Sequence, residues 1–176
     1  MLRAPTLPYG VNVPSPQERA GTGSLREKTL HAVLNDLLAT WEDDGFCEFI
    51  LLTVHDYDGH VEAIATVTGT HSRVRVIEVL NMDLSGILTG ERGPEHGGEI
   101  LTSLMLHLYP AHVKMELAAD FLPADRSMST LKRLSRIPGE SPGSLGTPTV
   151  ASAEKGRQLF EYISERIRTR VFSAEE

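Results

Sequence analysis

Hydrophobic residues in the first part of the chain recur at the spacing of an amphipathic helix. Ser24 and Glu27 have the spacing of a capping box, which predicts that this helix begins at Ser24. Gly45 is expected to close it, because glycine readily adopts the left-handed backbone conformation found after helix ends. The apolar stripe of the helix consists of Leu30, Val33, Leu34, Leu37, Leu38 and Trp41.

Two short apolar segments, "FCEFILLTV" and "VRVIEVLNM", follow this helix without polar alternation. Such segments are typical of parallel strands that are covered on both faces. The segment between them, "GHVEAIATVTGTH", is predicted as a second helix. Residues 24–81 therefore alternate helix, strand, helix and strand, which predicts a three-layer α/β/α fold with a mainly parallel sheet. We expect the strand that ends near Val54 to be central and buried, with helices on both faces.

The rest of the chain predicts two further helices. The first, "EILTSLMLHLY", ends before Pro110, and the last begins at Ser152. Residues 4–23 read as a loop with a short strand at Thr6–Leu7, and residues 120–150 are rich in proline and glycine. A single domain is predicted, made of a strand and loop at 1–23, an α/β core at 24–119, a loop-rich part at 120–150 and a closing helix at 151–176.

The composition narrows the class of protein. The 176 residues carry a net charge of −7, which argues against binding to nucleic acid or to an anionic membrane. Apolar segments fall well short of the ~20 residues that a membrane span requires. The single cysteine, Cys47, rules out an internal disulfide. These features predict a cytoplasmic protein without nucleic-acid or membrane partners.

A first candidate site lies where the first predicted strand ends, at "HDYDGH". Ligands of open α/β sheets bind beyond the carboxyl ends of the strands, and imidazole and carboxylate groups bind zinc, iron and manganese. His55, Asp58 and His60 therefore have both the position and the chemistry of a metal site. The alternative is a polar turn whose histidines cap the next helix.

A second candidate site precedes the helix that contains "TSLML". Glu95 and His96 are candidates for catalysis there, and Gly97 and Gly98 allow the backbone to approach a ligand closely. Glu99 lies in the first helical turn, where the helix dipole favours a carboxylate. The alternative is that Glu99 only caps the helix and that His96 is an ordinary surface residue.

Five stretches together resemble the creatininase (creatinine amidohydrolase) family. "LPYG" with "GTGSLREKTL" resembles the family's Pro-Tyr-Gly loop and the start of its next helix, and "GFCEFILLTVHDYDGH" resembles its buried strand and Asn-Gly-His motif. "HGGEILTSLMLHLYP" resembles its His-x-Gly and Thr-Ser-Leu-Met-Leu segment, and "ASAEKGRQLFEYISERI" resembles its closing helix. The resemblance covers nearly the whole chain, and it implies a creatininase-like α/β fold.

The resemblance also implies chemistry. It implies a divalent metal (Zn, Mn or Fe) and hydrolysis of a non-peptide C–N bond in a small-molecule amide, such as a cyclic amide or a formamide. His96 would transfer a proton to the leaving nitrogen. The metal histidine is His55 if the motif is counted from Gly45, or His60, with Glu62 as the carboxylate, if "DGHVEA" is matched instead. Glu99 is the remaining candidate ligand, and the family resemblance implies a homo-oligomer.

One departure from the family pattern changes these expectations. The Glu-x-His-Gly segment, which supplies most of the family's metal ligands, would precede the Pro-Tyr-Gly loop, and the sequence "MLRAPT" occupies that place. We therefore expect an N-terminally truncated amidohydrolase that alone binds metal weakly or not at all, is inactive and self-associates. The alternative is a shortened, inactive homologue that serves as a binding or assembly subunit. His55 or His60 is expected to share one cleft with His96 and Glu99.

Overall fold

The computed structural model describes residues 1–12, 23–91, 95–125 and 139–172. These residues form two compact units. The first unit contains residues 1–12 and 23–81, and the second contains the described residues from 82 onward. The expectation of a single domain stays a prediction.

The first unit opens with helix α1, Glu27–Asp43. The capping box predicted at Ser24 is wrong, because the helix begins later and has Arg26 at its N-cap without a side-chain cap. The Ser24 hydroxyl instead accepts a hydrogen bond from the Asn12 N–H at 3.0 Å and donates to the Leu25 carbonyl at 3.1 Å. Ser24 thus holds the preceding loop. This role cannot be read from the residues of the helix that follows it.

The predicted end of α1 at Gly45 is confirmed. Gly45 has φ +93°, and its N–H donates to the Glu42 carbonyl at 2.9 Å. The Phe46 N–H donates to the Trp41 carbonyl at 3.0 Å, which completes a Schellman motif. A side chain at position 45 would be strained at this φ, so glycine is required for the chain to leave the helix.

The two predicted strands pair in parallel, as expected for an α/β fold. Strand β1 is Glu48–Thr53 and strand β2 is Arg73–Glu78, in a register that places Phe49 beside Val74. Helix α2, Asp58–Ala65, connects them.

The central and buried position predicted for β1 is wrong in this structure. Within the described residues β1 pairs with β2 alone, and the side chains of Leu52 and Val54 are 57% and 52% exposed. The Phe49 ring lies on the opposite face, 6.2 Å from the Trp41 ring of α1. A continuous apolar segment indicates that both faces of the strand are suited to burial. It does not indicate which helices or strands cover those faces.

The core of the first unit joins the N-terminal loop to α1 and α2. It is formed by Val11, Leu30, Ala63 and Ile64, with Leu25, Leu34, Tyr57 and Val76 packed around it. The strand predicted at Thr6–Leu7 is wrong, because residues 1–12 contain no strand. The loop is held through Val11 instead, whose side chain is only 6% exposed.

The second unit is built on helices α3, Glu99–Leu108, and α4, Ala153–Phe172, which pack against each other. Both helices begin within one residue of their predicted starts. Residues 120–125 and 139–150 are mostly loop as predicted, and residues 126–138 lie outside the described residues. In the part of the chain that the structure describes, none of the helices combines the length and apolar character that a membrane crossing demands.

Candidate active site

The histidines of "HDYDGH" surround Val11 of the N-terminal loop. The His60 Nδ1 atom accepts a hydrogen bond from the Val11 N–H at 3.2 Å, and His55 Nε2 lies 2.9 Å from the Val11 carbonyl oxygen. The two rings contact each other edge to face, with centroids 5.0 Å apart. The structure therefore brings both candidate metal ligands together, on the backbone of one residue.

These contacts assign the protons on both rings. Because His60 Nδ1 accepts, its neutral ring carries the proton on Nε2, which donates to the Thr53 hydroxyl at 3.1 Å. His55 must carry its proton on Nε2 to donate to the Val11 carbonyl. Burial lowers the pKa of His60, and the neighbouring His55 lowers it further, so both effects favour the neutral ring that accepts from Val11.

The other residues of this first site lie on α2. Asp58 is the first residue of the helix, where its carboxylate complements the helix dipole. Glu62 has an exposed side chain.

The second candidate site is a turn that leads into α3. The His96 N–H donates to the Leu145 carbonyl at 3.0 Å, and the Leu145 N–H donates back to the His96 carbonyl at 2.8 Å. The His96 side chain is exposed. Glu95 accepts from the N–H of Leu101 at 3.1 Å and so caps a helical amide. Gly97, with φ +61°, turns the chain between His96 and the start of α3 at Glu99.

Glu99 is buried, and its carboxylate is surrounded by donors. It accepts from the Thr89 N–H at 3.0 Å and the Gly90 N–H at 2.8 Å, and it forms an ion pair with Lys155 at 2.5 Å. Burial on its own would raise the pKa of Glu99, but the hydrogen bonds and charge of Lys155, with the amides of Thr89 and Gly90, lower it overall. Glu99 is therefore a charged anchor that ties the loop at Thr89 to both helices of this unit.

The described residues do not fit a divalent metal in this arrangement. Across them, no three His, Cys, Asp or Glu side chains come together as a metal-binding group. Both nitrogens of His60 are engaged by Val11 and Thr53, and the Glu99 carboxylate is engaged by Lys155. The expectation that His55 or His60 shares a cleft with His96 stays a prediction.

Comparison with known proteins identifies the family. The sequence model of the creatinine amidohydrolase (Creatininase) family matches residues 1–171. The chain belongs to the creatininase family. Among curated creatininase relatives, the mycofactocin precursor peptide peptidase of Mycobacterium ulcerans (strain Agy99) is 30% identical over 166 residues. The protein of the same name from Mycobacterium tuberculosis (strain CDC 1551 / Oshkosh) is 28% identical over 165 residues. The match covers 90% of this chain, and the chain spans 61% of the length of these relatives.

Solved creatininase structures share the fold. A crystal structure of creatinine amidohydrolase (creatininase) has a TM-score of 0.70 and 26% identity, covering 93% of this chain and 70% of that chain. A creatininase described as the manganese form has a TM-score of 0.68 and 25% identity, over 92% and 72% of the two chains. Another creatininase neighbour is described as a Zn–Zn type. The predicted α/β class and creatininase resemblance are thus confirmed, and creatininases of known structure include Mn and Zn forms.

Sequence reasoning missed the partners of the candidate residues. Val11 and Thr53 bind the two histidines, and Lys155 binds Glu99 from a position 56 residues away. The sequence placed Lys155 in the first turn of the last helix. Its contact with Glu99 could not be predicted, because contacts between residues so far apart in the sequence follow from the fold and not from local spacing. Gly90 offered one signal in the sequence, because a glycine leaves room for a close neighbour. In the structure that neighbour is Glu99, and an added Cβ at Gly90 would lie 2.8 Å from a carboxylate oxygen of Glu99.

Proposed function

We propose that this chain functions in the hydrolysis of C–N bonds in amides, with His96 transferring a proton to the leaving nitrogen. Membership of the creatininase family over residues 1–171 supports the reaction class. Histidine suits the role because its ordinary pKa lies near neutrality, so that it both accepts and releases a proton under physiological conditions.

The observation that carries the proposal is the setting of His96. Its side chain is exposed, while its backbone is fixed by two hydrogen bonds to Leu145. A fixed backbone holds the imidazole in one region of the surface, which reduces the cost of orienting it toward a substrate. Glu95 adds to this rigidity by capping the amide of Leu101, so the turn is held at both ends.

Two substrate classes follow from the relatives. The names of the solved neighbours favour a non-peptide bond in a small cyclic amide such as creatinine. The curated relatives are named as peptidases of a precursor peptide, which favours a peptide C–N bond as the second candidate. Both substrates present a carbonyl to be attacked and a nitrogen that must be protonated as it leaves, so both make the same demand on His96.

A non-catalytic role as a binding or assembly subunit is the competing proposal. It is supported by the commitment of His60 and Glu99 to other protein groups and by the missing metal cluster among the described residues. The divalent metal implied by the family therefore requires ligands, or an arrangement, beyond those described.

The experiment is to produce the protein in its native host from its own gene with a C-terminal tag, so that everything encoded upstream is retained. Hydrolysis of creatinine and of short peptides is then measured with zinc or manganese supplied. The His96→Asn variant should lose at least ~100-fold in kcat, the scale of one positioned proton-transfer group. His112→Asn, at an exposed histidine after α3, is the matched control and should retain activity. Absence of hydrolysis in the unmodified protein would support the assembly role instead. Full activity in His96→Asn would show that hydrolysis does not depend on His96.

A further inference from the structure

Both polar backbone groups of Val11 are held by imidazole rings from one short segment. The N–H donates to His60 and the carbonyl accepts from His55, across 49 and 44 positions of sequence. The Val11 side chain enters the core beside Leu30 and Ile64. The N-terminal loop of the first unit is therefore anchored twice, by apolar burial and by the histidine pair.

His60 is packed closely against Gly10 and is hydrogen-bonded to Val11 and Thr53. An added Cβ at Gly10 would lie 2.7 Å from Nδ1 and 2.8 Å from Cε1 of this ring, so only glycine leaves room for the imidazole. The Thr53 hydroxyl binds Nε2, and the same hydroxyl accepts from the His55 N–H at 3.1 Å. His60 as a whole is only 9% exposed.

We propose that His55 and His60 form a clamp for the Val11 backbone, and that a divalent metal competes with Val11 for His60. The clamp consists of these two side chains with the N–H and C=O of Val11. This role is independent of the proposed hydrolysis, and it gives the two histidines a function that needs no metal.

The competition follows from the two ring nitrogens. If a metal binds Nδ1, it takes the lone pair that accepts from the Val11 N–H. If it binds Nε2 of the neutral ring, the proton moves to Nδ1, which then faces the Val11 N–H donor to donor. Either mode removes the hydrogen bond at 3.2 Å. Because coupling between two binding events is reciprocal, a clamped Val11 weakens metal binding, and a bound metal loosens the loop.

The test is amide exchange at Val11, followed by NMR in the 176-residue chain while zinc is added to millimolar concentration. Zinc should raise the Val11 exchange rate about tenfold and shift the His60 ring signals over the same concentrations. In His60→Asn the side-chain oxygen can still accept from the Val11 N–H but binds zinc poorly, so slow exchange should persist and zinc should have no effect. His71→Asn, at an exposed histidine of the same unit, should respond to zinc like the unmodified chain.

A second variant covers the case in which zinc does not visibly bind the unmodified chain. Gly10→Ala pushes the ring away from Val11, so exchange at Val11 should rise without zinc and zinc affinity should increase several-fold. Zinc that shifts the His60 ring while Val11 exchange stays slow would overturn the proposal. So would a Gly10→Ala chain whose zinc affinity equals that of the unmodified chain.

Discussion

Gly156 of α4 lies directly against the carbonyl group of Ser103 on α3, and an added Cβ at position 156 would overlap the Ser103 carbonyl oxygen. The same Cβ would lie 2.8 Å from the Cβ of His107. Ser103 is fully buried, and its hydroxyl accepts from the Ser152 N–H at 3.2 Å. Small residues at both positions therefore let the two helices of the second unit approach closely.

Replacing Gly156 by alanine should destabilise the protein by about 1–3 kcal/mol, the usual cost of overpacking a tight contact. The sign of the stability change distinguishes overpacking from helix propensity, because alanine inside a helix otherwise stabilises it by about 1 kcal/mol relative to glycine. Urea unfolding measures the change. Ser164→Ala, at an exposed position of the same helix, is the control and should change stability little. A Gly156→Ala protein more stable than the unmodified chain would contradict the close helix contact.

The sequence predicted the helices because their apolar residues recur at local spacing, and the parallel strand pair because two apolar segments flank a helix. The stripe from Leu30 to Trp41 and the closing glycine at 45 both report on neighbours a few positions away, and both predictions held. The exposure of Leu52 could not be predicted, because it depends on which elements cover the sheet. The use of Ser24 was misjudged for the same reason, since its partner, Asn12, lies 12 positions upstream.

The buried ion pair between Glu99 and Lys155 should contribute strongly to stability. The two side chains are 5% and 16% exposed, and Glu99→Gln removes the charge while keeping the shape. We expect a loss of about 2 kcal/mol at neutral pH, typical of hydrogen bonds to a charged group. Glu165→Gln breaks an ion pair of similar length, 2.6 Å, on the exposed face of α4 and should have little effect.

The pH dependence of the same variant gives a second readout. The pKa of Glu99 is lowered by folding, so its stabilisation is complete above its ordinary value of 4.5 and is lost as the pH falls through the lower folded value. The stability difference between the unmodified chain and Glu99→Gln, measured by urea unfolding at several pH values, should therefore shrink in acid. A difference that grows below pH 4.5 would show that Glu99 is not held as a carboxylate by Lys155.

Self-association, expected from the sequence, has a specific candidate surface in the exposed residues of β1. Leu52 of β1 and Val54, directly after its end, present apolar side chains, and the pairing of β1 within the described residues is limited to β2. Exposed strand edges with apolar side chains favour pairing between chains. Leu52→Lys should lower the average mass in sedimentation at micromolar concentration, whereas Leu117→Lys, at a more exposed leucine of the second unit, should not. A monomeric unmodified chain would contradict this prediction.

The candidate site was only partly predictable. Residue type and position at the end of a strand singled out His55 and His60, and the turn before α3 singled out His96. What these residues contact was beyond reach, because Val11 and Leu145 are 44 and 49 positions from His55 and His96. The contacts of the His55 and His60 ring nitrogens with Val11 and Thr53 decide whether these two histidines are free to bind a metal.

Metal content therefore tests the account most directly. The purified 176-residue chain is incubated with zinc or manganese, dialysed and analysed for bound metal. The engagement of His60 by Val11 and Thr53, and of Glu99 by Lys155, predicts far less than one ion per chain after dialysis. About one zinc per chain, held with sub-micromolar affinity and lost in His60→Asn, would contradict the account by showing that these side chains assemble a metal site on their own.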